Sequence, residues 1–146
     1  SRPKPEQLTD IEAGFRFKKK TWVSAINFYN MAYKNQLVLN GEINNVGAYN
    51  RVNVEASYRR GIEFELQKQI TKFMSAAGNI ALSANKILNF NEYIDSYDSL
   101  NNYTQIKNTY KSTDISFSPN IVAALQVGIK PIKNLEITVL PPVYQL

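Results

Sequence analysis

Glu63 and Glu65 stand two residues apart in the stretch SYRRGIEFELQKQIT, residues 57–71. On an extended strand that spacing projects both carboxylates from one face, the arrangement an acid–base pair would need. Their companions are missing. The chain has no histidine and no cysteine, which removes the usual general base, thiol nucleophiles, disulfides and the commonest zinc and haem ligands. Two strand carboxylates without a nucleophile or metal constellation read as a water-facing wall or a contact for another domain, and no enzymatic activity is expected. Glu92, Asp95 and Asp98 offer oxygen ligands of the kind calcium takes. They lack the alternate acidic positions and fixed glycine of an EF-hand loop, so a plain polar segment is expected, with no metal or cofactor site.

A second group is more suggestive. Residues 91–113, NEYIDSYDSLNNYTQIKNTYKST, are dominated by Asn, Ser, Asp and Tyr, and the spacing predicts a long irregular loop, a length that is usually functional. Exposed aromatics give large contact area at small entropic cost, which suits capture of a bulky ligand. Tyr93, Asp95, Tyr97, Asp98, Tyr103 and Tyr110 are therefore the candidate ligand-binding residues. Packing of the loop onto its own scaffold is the other use open to the same tyrosines. Arg59 and Arg60 could hold an anionic ligand or pair with wall carboxylates such as Glu63.

These residues need elements to carry them, and the elements read as strands. Around the opening stretch, Ile62, Phe64, Leu66 and Ile70 alternate with Gly61, Glu63, Glu65, Gln67 and Gln69, with Lys68 as the exception. A period of two with one apolar and one polar row describes a sheet wetted on one face and covered on the other, by a second sheet or by lipid. The same alternation predicts strands over residues 9–18, 78–90, 114–130 and 135–140, and residues 22–39 are β-prone with blurred alternation. Residues 40–50, with two glycines and four asparagines, read as a loop. Connections then alternate short, long, short, long, short. In an up-and-down meander this gathers the turns near Lys19, Ser75 and Lys133 at one rim and the loops around Asn45 and Asn102 at the other. One face is expected to carry Ile62, Phe64, Leu66, Leu82, Leu125 and Val127, and the other Glu63, Glu65, Gln67, Ser83 and Gln126. Phe15, Phe17, Trp22 and Phe73 fall beside the short turns, where an interfacial aromatic girdle belongs.

Composition limits the partners. The 146 residues suit a single segment, and the formal net charge of +5 is scattered apart from Lys18–Lys20 and Arg59–Arg60. Without a continuous basic face, no nucleic-acid partner is expected. No apolar run reaches the length of a membrane helix. No signal peptide or initiating methionine is present, and the opening SRPKP reads as the start of a piece of a longer chain.

Lys4-Pro5-Glu6, with Glu12 and Gly14, resembles the K-P-E…E-x-G opening of a late barrel hairpin in TonB-dependent outer-membrane receptors. Residues 27–66 resemble the strand, loop and strand that follow, through N-x-Y…Y-K-x-Q-L-V and S-Y-R-x-G-I-E. Residues 108–120, NTYKSTDISFSPN, resemble the N-T-D-x-x-F-S-P-N opening of a later descending strand. The asparagine- and tyrosine-rich loops are similar to those of Bacteroidetes-type members. The resemblance implies an all-β, antiparallel up-and-down meander: about six strands, residues 1–146, from a 22-stranded transmembrane β-barrel, without the plug domain or energy-coupling box. It implies a Gram-negative outer-membrane receptor whose extracellular loops capture a scarce bulky nutrient such as an iron chelate, haem, a corrin or a glycan. Its partners would be outer-membrane lipid and, through the rest of the receptor, the plug and TonB. One departure is the tail LPPVYQL, where Pro141 and Pro142 stand where pairing should continue. Excised from its barrel, such a piece has open edges and a bare apolar face. It is expected to fold over Phe64, Leu82 and Leu125 or to self-associate. The alternative from another class is a soluble all-β module for carbohydrate or lipid, whose apolar rows would meet in one shared core.

Overall fold

The computed structural model describes residues 3–43, 49–141 and 143–145. Among these described residues eight strands form one sheet: β1 (Gln7–Lys18), β2 (Trp22–Ile43), β3 (Tyr49–Thr71), β4 (Met74–Tyr97), β5 (Tyr103–Asp114), β6 (Ile121–Ile132), β7 (Leu135–Val139) and β8 (Tyr144–Gln145). The order is β1-β2-β3-β4-β6-β7, with β5 also on β4 and β8 also on β6. This is the antiparallel meander that the alternation predicts. β2, β3 and β4 run for 22, 23 and 24 residues, roughly twice the 9–11 that a tilted strand needs to cross a bilayer.

The chain divides into two compact units. The first, residues 10–30, 59–84 and 117–146, holds the three short turns. Lys19 N donates to Trp22 O at 2.8 Å, Gln69 N to Thr21 O at 2.7 Å, and Lys130 N to Phe73 O at 2.7 Å, so the turn regions are tied to the strands beside them. Register fixes the faces, because directly opposed residues point the same way. Gly78, Ile80 and Leu82 oppose Leu125, Ala123 and Ile121. Val127 opposes Ala76 and Val139, and Ile129 opposes Met74 and Ile137. Phe64, Leu66 and Ile70 line one shallow concavity with Ile80 and Leu125, and Ile62 joins Phe28 and Leu82 in the next. Arg16, Glu65, Gln67, Asn79 and Gln126 line a further concavity, together with Val23, Ala25, Leu66 and Leu125. Between β4 and β6 the register sets Leu82, Leu125 and Val127 on one face and Gln126, opposite Ala77, on the other, as predicted.

This apolar row is uncovered. Phe64 is 43%, Leu82 44% and Leu125 50% exposed, so the chain does not fold over to bury them. Phe17 and Trp22 meet with ring centroids 5.4 Å apart beside the first turn, and Lys19 Nζ lies 5.7 Å from the Phe17 ring. At Gly61 the sheet has no room for a side chain. A Cβ there would lie 2.5 Å from the Leu82 carbonyl oxygen and 2.6 Å from the Tyr29 hydroxyl.

The second unit, residues 1–9, 31–58 and 85–116, does have a core. Val54, Ile87, Phe90 and Ile115 are buried together, with Val38 packed against them. Ser57 is buried and donates to Gln36 Oε1, and the carbonyl of buried Asn85 accepts from Ile115 N at 3.0 Å. The K-P-E segment is held by Asn53. Lys4 N donates to Asn53 Oδ1 at 2.7 Å, and Asn53 Nδ2 donates to Lys4 O at 3.1 Å, so one side-chain amide acts as a neighbouring peptide unit would. Glu6 accepts from Leu37 N at 3.3 Å.

Four readings need correction. Residues 91–113 are not a loop: β4 continues to Tyr97, β5 begins at Tyr103, and only the tip between them is a turn. The strand predicted over 114–130 is broken, because residues 115–120 leave the ladder between β5 and β6. Ile115 turns into the core, whereas Phe117 adopts φ 57° and is fully exposed. Pro119, which has no N–H to give a ladder, sits in this detour. The loop placed at 40–50 is shorter, since β2 reaches Ile43 and β3 starts at Tyr49; the Asn45 part of that expectation lies outside the described residues. Pairing resumes beyond the two prolines, where Tyr144 and Gln145 oppose Ala123 and Val122 on β6.

Candidate functional site

The β4–β5 hairpin gathers most of the candidate residues. Its register opposes Asn91 with Thr109, Tyr93 with Lys107, Asp95 with Gln105, and Tyr97 with Tyr103. All eight side chains therefore share one face, and each pair is joined by contact. Thr109 Oγ1 donates to Asn91 Oδ1 at 2.9 Å. Lys107 Nζ stands 6.0 Å from the centre of the Tyr93 ring. Asp95 Oδ1 accepts from Gln105 Nε2 and from the Tyr103 hydroxyl, both at 2.9 Å. The Tyr97 and Tyr103 rings lie 5.6 Å apart, tilted by 56°. Four polar or aromatic rungs thus climb toward the tip.

The tip is built on Asp98. Its Oδ1 accepts from the backbone N–H of Leu100 and Asn102, and its Oδ2 from Asn102 Nδ2, all at 2.8 Å. The Asn102 side-chain amide, followed by the Asn102 and Leu100 backbone N–H groups, holds the Asp98 carboxyl below its ordinary 3.8. Asn101 takes φ 61°, a left-handed conformation that asparagine tolerates. The hydrogen bond from Tyr103 to Asp95, reinforced by the carboxylate charge, pushes the phenol above its ordinary 10.0.

Of the six candidates, Tyr93, Asp95, Tyr97 and Tyr103 share the face. Asp98 shapes the turn and contributes no free oxygen to the face. Tyr110 opposes Phe90 on the reverse side and donates to Glu92 Oε2 at 3.1 Å. Sequence reading missed Gln105, Lys107, Asn91 and Thr109. Their signal was the alternation of polar and aromatic residues in 91–97 against 103–109, which only a hairpin register makes visible.

The remaining candidates lie elsewhere. Glu65 stands 3.8 Å from Arg16, both well exposed. Arg59 Nη1 donates to Ser118 Oγ at 2.9 Å, so its partner is the detour and not Glu63. Among the described residues no cluster of acidic side chains is arranged to hold a metal ion.

A long-stranded meander with an uncovered apolar row, a polar opposite face, aromatics beside tight turns and one extended hairpin is the wall of a membrane barrel. A family model described as "TonB dependent receptor-like, beta-barrel" matches residues 3–131. The chain belongs to the TonB-dependent receptor β-barrel family. Proteins of this family are receptors and transporters of the Gram-negative outer membrane, not enzymes. Comparison with curated proteins and with solved structures returned no match. Barrels of this kind turn their apolar rows to lipid and their polar rows to the lumen.

Proposed function

We propose that this chain supplies wall and capture surface to a receptor that imports a scarce bulky nutrient, and that the β4–β5 hairpin is part of that surface. The observation behind this reading is the four-rung ladder, which ends in two half-exposed tyrosine rings, Tyr97 at 65% and Tyr103 at 53%. No structural task of the hairpin requires bare rings at its tip. In this reading the plug domain and TonB act through the remainder of the receptor, and outer-membrane lipid covers the apolar row. The chain by itself would bind but not transport.

The test is uptake. Cells depending on the parent receptor are grown with a ferric chelate, haemin, cyanocobalamin or an oligosaccharide as the limiting nutrient. Removing residues 95–103 should abolish growth on one of them while leaving the receptor's level in the outer membrane unchanged. Full growth on every nutrient would overturn the reading.

Without lipid, the apolar row should drive copies together. At about 25 cal/mol per Å² of apolar surface, a few hundred Å² is enough to favour association by several kcal/mol. Sedimentation of the purified chain should show oligomers in buffer and monomers in detergent; monomers in both would count against a lipid-facing row.

A further inference from the structure

The chemistry of the hairpin face narrows what it can hold. Tyr97 and Tyr103 present two open ring planes at 56° to one another. A saturated sugar ring offers apolar C–H faces that stack on such planes while its hydroxyls remain at the edge. Immediately beside the rings stands a planar carboxylate–amide pair. Asp95 Oδ1 is saturated by Tyr103 and Gln105, which fixes the carboxylate's orientation. Among the described residues Asp95 Oδ2 and the Gln105 side-chain oxygen Oε1 accept no hydrogen bond. Two oriented acceptors next to an aromatic plane suit adjacent hydroxyl donors.

Charge and shape count against the other ligand classes. The face carries one carboxylate, Asp95, and one ammonium, Lys107, which is drawn over Tyr93. An anionic chelate would meet Asp95 with no arginine fork to hold it. A haem or corrin ring would need an enclosing apolar pocket, yet Tyr97 and Tyr103 stand open at 65% and 53% exposure and the hairpin's paired isoleucines, Ile94 and Ile106, face the reverse side.

We infer that the Tyr97–Tyr103–Asp95–Gln105 face binds an uncharged, polyhydroxylated ring ligand, an oligosaccharide. This rests on the reading of the hairpin as a capture surface, and the test separates the two. The chain in detergent is run on native gels containing dextran, amylose, mannan or xyloglucan, and is titrated in parallel with haemin and a ferric triscatecholate. At least one polysaccharide should retard it. Tyr97→Ala and Tyr103→Ala should each weaken that binding about tenfold, as loss of an aromatic anchor does. Tyr97→Phe should retain it, and Ser96→Ala on the reverse face should leave it unchanged, with circular dichroism confirming that every variant keeps its strand content. Retardation that survives both alanine variants, or no retardation at all, overturns the inference. If haemin or the catecholate binds in a Tyr97-dependent way, the ligand class is wrong and the capture surface stands. If no probe depends on Tyr97 or Tyr103, both readings fail.

Discussion

The turn unit carries the clearest alternation in the chain and buries almost none of it, whereas the hairpin unit alternates poorly and owns the core. In the first, Ala25 is the one buried apolar side chain among the described residues, although Phe64, Ile80, Leu82, Leu125 and Ile129 form a continuous row. In the second, Val54, Ile87, Phe90 and Ile115 close on one another. The same backbone geometry serves two solvents. Where lipid replaces a core, an apolar row is complete when it faces outward. Where an apolar side chain has no lipid to face, it must find other apolar side chains, as Val54, Ile87, Phe90 and Ile115 do.

Substitutions can break this comparison. The largest effect is expected from Ile87→Ala, which hollows the hairpin unit's small core and should cost about 2–5 kcal/mol, read from urea titration in lipid vesicles. Leu125→Arg should cost about 2–4 kcal/mol when position 125 lies near the bilayer midplane. Gln126→Arg, on the opposite face, should cost little; equal penalties at 125 and 126 would mean that the faces do not see different media. Next comes Asn53→Ala, which removes two bonds to Lys4. At roughly 0.5–1.5 kcal/mol per bond, its loss should appear as faster hydrogen exchange at the Lys4 amide. The smallest effect belongs to Asp98. Because its folded carboxyl is held below 3.8, its contribution is complete above that value and is lost as pH falls through the depressed one. The Leu100 and Asn102 amides should stay protected at neutral pH and open in acid, with Asp98→Ala open throughout. Protection that weakens on raising the pH would contradict this.

Strands at 9–18, 57–71 and 78–90 were legible because one row is apolar and the other polar, so alternation is visible in the residues themselves. The hairpin at 91–114 was not. Tyr, Asn, Ser and Asp serve on either face of it, and composition mimics a loop although the ladder runs from Lys86–Asp114 to Tyr97–Tyr103. The break at 115–120 was hidden for the opposite reason: Ile115, Phe117, Ile121 and Ala123 keep the period of two straight through a segment that leaves the sheet. The tyrosines were found by type, but their grouping needed the register. Tyr110 lies only seven residues after Tyr103, and that odd offset puts it on the reverse side.

The detour also separates two lineages of change. β5 and β6 pair with the same strand in independent registers, since Leu88 opposes Ser112 whereas Leu82 opposes Ile121. An insertion or deletion in the hairpin is absorbed before Ile121 and leaves every later residue facing the medium it faced before. Residues 91–109 can therefore be exchanged as a cassette, lengthened, shortened or replaced outright, while the wall that anchors them is inherited unaltered.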